Sequence, residues 1–462
     1  MARVTVDFVE VRQGTFFDSV TLMLASRDAL AQPGVRAAAA LAATPLNRGL
    51  LAEQGFDLTG VDGARLEDMI VALRADDQAG IDAALDAIAR ALAAPTGAGA
   101  GAAAPARTFR GALRRSPELS VALVSVPGQH AAAECAAALE AGLHVFCFSD
   151  GVALEDELAL KRLALDRGLL MMGPECGTAI VDGVGLGFAN VVERGPVGIV
   201  GASGSGMQAL CCLLDAAGVG VSQAIGVGGR DLSPEVGGLM AIRAVELLAA
   251  DPATEAIALV GKAGAQPPAL EAAAGSKPLV AAVPGAGTLE DAAARLCALV
   301  GAAPPRFAEE LTAPARPGKI LGCFSGGTLC DEAAWLVGGR DHELVDFGAP
   351  EYTRGRPHPM IDPTLRAEYI EREAVREEVA ALLVDVVLGR GAHPDPAAPM
   401  AEAIESARAE RAGPLTVIAV LCGTGRDPQG LAAQAERLRE AGAVVTRGPA
   451  HAAALALRAV GT

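Results

Sequence analysis

Short runs of β-branched and aliphatic residues alternate along this chain with longer amphipathic runs that are rich in Ala and Leu. A hydrophobic period that switches between about 2 and about 3.6 residues is typical of repeated strand–helix units, whose parallel strands form sheets covered by helices. The chain has 462 residues, which suffices for about two to four hydrophobic cores. The pattern therefore predicts an α/β protein of several domains.

Two stretches of biased composition separate these strand–helix blocks. Residues 93–106 consist almost entirely of Ala, Gly and Pro, and residues 305–317 are rich in Pro. Such segments are typical of linkers, the first of them flexible, because they cannot bury enough apolar surface to form a packed core. The domains that we expect on either side of them span residues 1–92, 107–192, 193–304 and 318–462.

The charge balance is acidic, with 38 Lys and Arg against 55 Asp and Glu and a net charge of −17. Such a chain offers no basic face by default, so we expect neither nucleic acid nor a membrane surface as a partner. Since no stretch of about 20 residues is continuously apolar, we expect no spanning helix. Charged residues near the start predict that no signal peptide is present.

Nine scattered Cys without a Cys-x-x-Cys pair predict free thiols, a cytoplasmic location and no metal site.

Two loops rich in Gly and Ser each follow a predicted strand and open a predicted helix. The first Gly/Ser loop is Gly201–Gly206, and the second is Ser325–Thr328. Glycine lets the backbone approach a ligand closely, and the first N–H groups of a helix point at it, so both loops predict binding of a phosphate-like anion, with both helix dipoles directed at it. The alternative is a tight turn with Ser205 as an ordinary helix cap. The predicted phosphate-binding residues are Ser203, Gly204, Ser205, Gly206, Ser325, Gly326, Gly327 and Thr328.

Three further loops place polar residues at or after predicted strand ends, where open α/β sheets bind ligands. Arg230 is predicted to bind a carboxylate or phosphate and Asp231 to orient it, the alternative being a surface ion pair. Arg356 and His358 lie on an irregular Pro-rich loop and are predicted to act as an anion ligand and as an acid, base or donor. The alternative for that loop is an ordered surface segment or a subunit contact. The predicted catalytic residues are Arg230, Arg356 and His358, and the predicted substrate-binding residues are Gly173, Pro174, Glu175, Cys176, Gly177, Thr178, Gly229, Asp231, Arg354 and Asp362.

Two known families share motifs with this sequence. Residues 173–231 resemble the α subunit of succinyl-CoA synthetase in their Gly-Pro-x-Cys loop, first Gly/Ser loop and Gly-Gly-Arg-Asp turn, and Phe324–Asp331 resembles the carboxy-terminal domain of its β subunit. Over nearly its whole length the chain is similar to the FdrA family, a fusion of these parts. The shared motifs are Gly14-x-Phe16-x-Asp18-Ser19-Val20, Phe148-Ser149-Asp150, Leu154–Glu157, Gly201–Gly204, Gly228–Ser233 and Gly355–Leu365.

This resemblance implies a fold for each part of the chain. It implies a Rossmann-like domain similar to CoA-binding domains at 107–192, a flavodoxin-like CoA-ligase α-type domain at 193–304 and a CoA-ligase β-type domain at 318–462. All three have parallel sheets, and the two Gly/Ser loops face each other as in the synthetase. Compared with longer family members, we expect the chain to lack a carboxy-terminal extension.

Two departures from the synthetase pattern bear on the mechanism. Pro284–Thr288, where the synthetase carries its phosphorylated His, holds no His. No ATP-grasp domain or P-loop motif is recognisable, and the amino-terminal block lacks a Gly-x-Gly-x-x-Gly turn. We therefore expect no phosphoenzyme and no required cofactor, and the sequence gives no support to CoA binding.

The resemblance to FdrA proteins also implies an activity, since some relatives are associated with oxamate carbamoyltransferase. The leading hypothesis is a cytosolic subunit of such a carbamoyltransferase, working in a hetero-oligomer with partner subunits. The Gly/Ser loops would hold the phosphate of carbamoyl phosphate, and the predicted catalytic residues would position an anionic small molecule such as oxamate. One alternative is an FdrA-type acyl-CoA synthetase or CoA-binding subunit. The other is a non-catalytic scaffold or sensor of phosphate-type metabolites.

Overall fold

A computed structural model describes residues 5–15, 17, 19–61, 63–65, 68–93, 106, 108–261, 267–283, 287–311, 314–338, 341–353 and 356–461. The chain divides into two compact units. The first comprises Met1–Arg107 with Gly355–Pro357, and the second comprises Thr108–Arg354 with His358–Thr462. Most of the predicted linker at 93–106 lies outside the described residues.

The first unit contains a three-stranded sheet with helices on both faces. Its elements are β1 (Val6–Arg12), α1 (Ser19–Leu30), β2 (Val35–Ala42), α2 (Pro45–Glu53), β3 (Met69–Ala75) and α3 (Gln78–Ala93). β3 lies between β1 and β2 and pairs antiparallel with both. The helix predicted after Thr44 is confirmed as α2, whose first turn is capped by the Thr44 hydroxyl, the acceptor for the Asn47 N–H at 3.2 Å.

Parallel pairing, which the strand–helix alternation predicts, does not occur in this first sheet. The central strand reads Met-Ile-Val-Ala-Leu-Arg-Ala and is buried along nearly its whole length. α1 and α3 pack on one of its faces through Leu22 and Ile81, and α2 packs on the other through Leu51. A strand covered on both faces is apolar throughout, whichever direction its neighbours run, so its composition does not distinguish the two kinds of pairing.

The second unit begins with a small parallel sheet of order β4-β5-β6. The next two strands, β7 and β8, pair antiparallel as a hairpin and belong to the following sheet. These elements are α4 (Phe109–Arg115), β4 (Val121–Val124), α5 (Gly128–Glu140), β5 (His144–Cys147), α6 (Leu154–Asp166), β6 (Met171–Met172), β7 (Thr178–Val181) and β8 (Val184–Gly187).

The middle of the unit is a six-stranded sheet of order β12-β11-β9-β10-β7-β8. Its strands β9 to β12 are parallel, as the sequence predicts. The elements that follow β8 are β9 (Val197–Gly201), α7 (Gly204–Ala216), β10 (Val221–Gly226), α8 (Leu239–Ala250), β11 (Ala256–Val260), α9 (Ala269–Ala274), β12 (Leu279–Ala282) and α10 (Leu289–Leu299).

The carboxy-terminal part is a parallel five-stranded sheet of order β14-β13-β15-β16-β17. Its elements are β13 (Lys319–Phe324), α11 (Gly327–Val337), β14 (Glu343–Asp346), α12 (Pro350–Thr353), α13 (Thr364–Glu373), β15 (Val379–Val387), α14 (Ala397–Glu410), β16 (Thr416–Cys422), α15 (Leu431–Glu440), β17 (Ala443–Thr446) and α16 (Pro449–Ala459). Of the whole described chain, no helix has the length and apolar character needed to cross a membrane.

Both large sheets of the second unit change winding direction at the strand that precedes a Gly/Ser loop. β10 lies on one side of β9 and β11 on the other, and β14 and β15 flank β13 in the same way. Helices leave opposite sides of the sheet at such a point, so a crevice opens at the carboxyl end of the strand. The two loops predicted from sequence therefore occupy the positions where an α/β sheet binds its ligands.

Candidate anion site

The two Gly/Ser loops meet at the N-termini of α7 and α11. Ser203 caps α7, its Oγ accepting from the Gly206 N–H at 3.3 Å, and the same Oγ forms a hydrogen bond with Thr328 Oγ1. The Thr328 N–H in turn donates to Ser205 Oγ at 3.2 Å. The cap is therefore Ser203 and not Ser205, which lies across from the other helix. Two positive helix ends and three hydroxyl groups converge at one point.

Glycine is required here by the closeness of the two loops. A Cβ atom on Gly326 would lie 2.8 Å from Ser205 Cβ, and one on Gly206 would lie 3.0 Å from Thr328 Cγ2. Contacts this short would push the helix ends apart. The small residues that suggested an anion loop in the sequence also permit two helices to meet end to end.

A narrow recess opens beside the N-terminus of α7. It is lined by Glu175–Thr178, by Gly201–Gly204, by Met207 and by two glycines of the β10 end, Gly226 and Gly228. The predicted loop at 173–178 and the first Gly/Ser loop thus belong to one site. The space open to the centre of a water-sized molecule is only about 10 Å³, roughly what one water needs, so a larger group can lie only at the mouth of the recess.

Thr178 directs a hydroxyl group without a partner at this recess. The residue is 2% exposed, and its Oγ1 has no hydrogen-bond partner in the described part of the chain. A Cβ atom on Gly204, the first residue of α7, would lie 3.0 Å from that oxygen. A buried hydroxyl without a hydrogen-bond partner costs about 1–3 kcal/mol. A ligand at the N-terminus of α7 would provide that partner and remove this cost.

Cys176 is part of the packing under this recess. Burial raises the pKa of its thiol to about 12, so the sulfur stays protonated near neutral pH. Its Sγ donates to the Thr178 carbonyl oxygen at 3.6 Å. A Cβ atom on Gly226 would lie 2.5 Å from Cys176 Sγ and 2.3 Å from that carbonyl oxygen. The loop is therefore held tightly against β10, which fixes the direction of the Thr178 side chain.

The second Gly/Ser loop already has an anion, the carboxylate of Asp385 on β15. Asp385 accepts from the N–H and the hydroxyl of Ser325 at 2.8 and 2.9 Å and from the Gly326 N–H at 2.8 Å. Arg366 on α13 forms an ion pair with the same carboxylate. We did not identify either residue from the sequence. The signal that was available is a single Asp within the otherwise apolar run of Val379–Val387.

His358 lies beside the second Gly/Ser loop. A Cβ atom on Gly348 would lie 3.0 Å from both His358 Nε2 and the carbonyl oxygen of Ser325, and the imidazole packs on Phe188 with 5.3 Å between ring centroids. Nδ1 accepts from the Met360 N–H at 3.2 Å, so the neutral ring carries its proton on Nε2. Burial lowers the pKa of His358 to about 4, so at neutral pH the ring is an uncharged hydrogen-bond donor.

Arg230 and Asp231 have partners within the fold. Asp231 is fully buried, accepts from the ammonium group of Lys161 at 2.7 Å and caps the first N–H groups of α8. Lys161 also donates to Glu157 at 2.7 Å, and Arg230 pairs with the other oxygen of Glu157 at 2.8 Å. The alternative of a surface ion pair fails for Asp231, because the network is internal. Ligand binding by Arg230, whose side chain is 39% exposed, stays a prediction.

The remaining predicted residues are dispersed. Arg354 lies outside the described residues, and Arg356 is exposed and groups with the first unit. Asp362 accepts from the N–H and hydroxyl of Thr364, the first residue of α13, at 3.0 and 2.6 Å. Gly173, Pro174 and Gly229 belong to the loops that meet at the β10 end. Among the described residues, no group of three or more His, Cys, Asp or Glu is arranged to hold a metal ion.

Three families match separate parts of the chain. Residues 4–107 match a family described as "AllF, heavy metal-associated domain", residues 192–285 match "CoA binding domain", and residues 323–459 match "CoA-ligase". The last match covers the sheet that carries the second Gly/Ser loop, and the CoA-binding match covers the first loop. A CoA-binding-domain-like fold for residues 107–192 stays a prediction.

One relative resembles the chain along nearly its entire length. The Escherichia coli protein YahF is 36% identical over 97% of both chains. The succinate–CoA ligase [ADP-forming] subunit alpha-2 of Trichomonas vaginalis is 31% identical over 32% of this chain, and that match spans 48% of the ligase subunit. Among solved structures, the dinucleotide forming acetyl-coenzyme A synthetase 1 of Ca. Korarchaeum cryptofilum has 18% identity over 74% of this chain and 82% of its own, with a TM-score of 0.30.

Proposed function

The chain belongs to the FdrA-like family of YahF, which resembles succinyl-CoA synthetase, and on that premise we propose that it binds an acyl phosphate or phosphate at the N-terminus of α7. The whole protein is then an acyl-CoA synthetase-like subunit whose acyl acceptor is the thiol of CoA. YahF matches over 97% of both chains, whereas the ligase subunit matches over only about half its length, so the ligase's activity is carried over here as part of the proposal.

The observation that carries the proposal is the Thr178 hydroxyl without a partner. It faces the first residue of α7, where the N–H groups of Gly204 and Ser205 have no acceptor within the helix. A phosphoryl group placed there would accept from both N–H groups and from the Thr178 hydroxyl. Charge-assisted hydrogen bonds of this kind are roughly twice as strong as neutral ones.

The helix dipoles supply the charge complementarity that the rest of the chain does not. With a net charge of −17, the chain as a whole repels anions. The aligned peptide dipoles of α7 and α11 each place about half a positive charge at their meeting point, and the effect falls off within one helical turn. The site therefore selects an anionic group that comes within hydrogen-bond distance of the helix ends.

Acyl transfer needs stabilisation of the leaving phosphate, and fixed N–H dipoles provide it without a covalent intermediate. The acceptor attacks the acyl carbon, the bond between that carbon and the bridging oxygen breaks, and phosphate leaves with the bond's electron pair and takes up the proton that the acceptor loses. His358, neutral with its proton on Nε2, is suited to donate to the acyl carbonyl oxygen as charge develops on it.

A carbamoyltransferase is the second candidate, and one sequence observation favours it. Pro284–Thr288, the counterpart of the phosphohistidine segment in succinyl-CoA synthetase, carries no His. A chain of this kind would use an acyl phosphate made elsewhere, and carbamoyl phosphate is one. The acceptor would be oxamate, the product oxalurate, and partner subunits would complete the enzyme. Arg230 and His358 keep their predicted roles towards the acceptor in this version.

Binding of small anions tests the shared part of both candidates. Inorganic phosphate, acetyl phosphate and carbamoyl phosphate are titrated into the purified chain by calorimetry, and Ser203→Ala is compared with Thr108→Ala, which removes a helix cap at α4. We expect the Ser203 variant alone to bind at least about tenfold more weakly, the equivalent of about 1.4 kcal/mol. Absence of binding to the unmodified chain would refute the proposal.

Turnover then separates the two acceptors. The chain is combined with the proteins encoded beside it and given either acetyl phosphate and CoA or phosphate and oxalurate. A thioester product supports the acyl-CoA synthetase type, and carbamoyl phosphate supports the carbamoyltransferase. Anion binding without turnover in either mixture would support the third alternative, a scaffold or sensor of phosphate-type metabolites.

A further inference from the structure

We infer that Asp385 is a built-in anion that fills the second Gly/Ser loop, so that the candidate site takes a single ligand anion, at α7. This inference rests on the proposed function and makes it more specific. It assigns different roles to two loops that look equivalent in sequence. The first loop binds the ligand, and the second contributes its helix dipole and the Thr328 hydroxyl.

The contacts of Asp385 are those expected of a bound anion. Its two oxygens accept from the Ser325 N–H, the Ser325 hydroxyl and the Gly326 N–H at 2.8–2.9 Å, and the residue is fully buried. Arg366, itself 2% exposed, neutralises the carboxylate and also donates to the Asp385 carbonyl oxygen at 2.9 Å. A phosphate in this loop would have to displace the Asp385 carboxylate. Because Asp385 is part of the same chain, its carboxylate competes for the loop at a high effective concentration.

A second carboxylate strengthens the contrast between the loops. A Cβ atom on Gly327 would lie 2.7 Å from Asp346 Oδ2, and Asp346 Oδ1 accepts from the Gly348 N–H at 2.8 Å. Two acidic groups thus border the N-terminus of α11. Around the first loop, by contrast, no carboxylate of the described residues accepts from an N–H group of Ser203–Gly206, and Glu175, which lines the recess, is exposed to solvent. Like charges in contact disfavour each other, so an anionic ligand is directed to α7.

The consequence is a restriction on the ligand. The favoured ligand is then a small molecule with one anionic end at α7 and its remaining part towards Thr328, Asp346 and His358. Carboxylate and carbonyl oxygens at the second loop would accept hydrogen bonds, so a neutral group with N–H or O–H donors is favoured there over a second anion. A ligand with anionic groups at both ends would place one of them against Asp385 and Asp346.

Chemical rescue tests whether Asp385 occupies an anion site. Asp385→Ala removes the carboxylate but leaves Arg366 and the N–H groups of the second loop in place, and we expect formate or acetate to bind there. Added formate should raise the melting temperature of this variant saturably, by about 3 °C or more beyond the rise seen in the control. The control, Asp427→Ala, removes another buried carboxylate that accepts from two backbone N–H groups.

If the alanine variant is unfolded without additive, the folded fraction from circular dichroism against formate concentration is the readout, and Asp385→Asn gives a folded reference. Equal responses of D385A and D427A, or no response of D385A, would overturn the inference. So would two phosphate ions bound per wild-type chain in equilibrium dialysis. If the wild type binds no phosphate while D385A is rescued, the proposed function fails and the assignment of Asp385 stands.

Discussion

Replacing Thr178 by Val is expected to strengthen the fold and weaken the site at the same time. Valine has nearly the same shape but carries a methyl group where threonine has its hydroxyl. In the free protein that hydroxyl has no partner and is buried at 2% exposure. Removing it therefore removes a penalty from the folded state, whereas most buried substitutions add one.

The expected magnitudes follow from the hydrogen bonding of Thr178. An unpaired buried hydroxyl costs about 1–3 kcal/mol, so the free energy of unfolding should rise by about 1–2 kcal/mol. For a unit of this size that corresponds to roughly 1–3 °C in melting temperature. A hydrogen bond to a charged ligand is worth about 1.5–3 kcal/mol, so phosphate affinity should fall roughly 10- to 100-fold.

Thermal melts with and without phosphate measure both effects in one assay. The matched control is Thr254→Val, since Thr254 is also buried at 2% exposure but forms hydrogen bonds with Ser222 at 2.6 Å and Asp251 at 2.9 Å. The control should melt at a lower temperature than the wild type and keep its response to phosphate. Calorimetric titration then gives the affinity of the Thr178 variant directly.

Two results would contradict this reasoning. If Thr178→Val lowers the melting temperature without phosphate as much as Thr254→Val does, the hydroxyl already has a partner in the free protein. If the variant is stabilised but binds phosphate as the wild type does, the hydroxyl lies outside the anion site. In either case the recess at α7 would lose the observation on which its assignment depends.

Three further substitutions test other parts of the fold. Lys161→Met leaves Glu157 and Asp231 without their buried ammonium partner and should cost about 3–5 kcal/mol in urea unfolding; a loss below about 1 kcal/mol would show that the network is dispensable. Burial raises the pKa of Glu332 to about 7, so its contribution to stability is complete below its unfolded pKa of about 4.5 and is lost as the pH rises through 7. Between pH 5 and 8 the melting temperature of Glu332→Gln should therefore fall less than that of the wild type. Parallel curves of melting temperature against pH would count against the raised pKa of Glu332. Gly226→Ala places a Cβ 2.3 Å from the Thr178 carbonyl oxygen and should lower stability by about 1–3 kcal/mol. The affinity for phosphate, measured by titration, should fall as well. An unchanged affinity would show that the position of the loop at 173–178 does not control the site.

Local features of the chain were predictable because they depend on neighbours in sequence. The period of hydrophobic residues predicted β9, α7, β13 and α11 to within a few residues. Thr44 followed by Pro predicted the start of α2, since a cap needs only the residues of its own turn. Gly and Ser after a strand predicted two helix N-termini with accessible N–H groups.

The antiparallel first sheet and the position of Ser205 were not predictable in the same way. Pairing direction depends on how the chain returns to the sheet, and a strand buried on both faces has the same composition in either case. Ser205 resembles an ordinary cap when only its own helix is considered. Its actual partner is Thr328, 123 positions away, which only the packing of α7 against α11 brings close.

By itself, then, the sequence determined that two loops would each present helix N–H groups at the end of a parallel strand. The tertiary structure alone decided how the loops differ: the second receives Asp385 from β15, 60 residues further along, and the first faces the hydroxyl of Thr178. The physical reason is that the availability of an N–H group depends on which acceptor lies within about 3 Å of it. That acceptor comes from a neighbouring strand, and strand neighbours are set by sheet order.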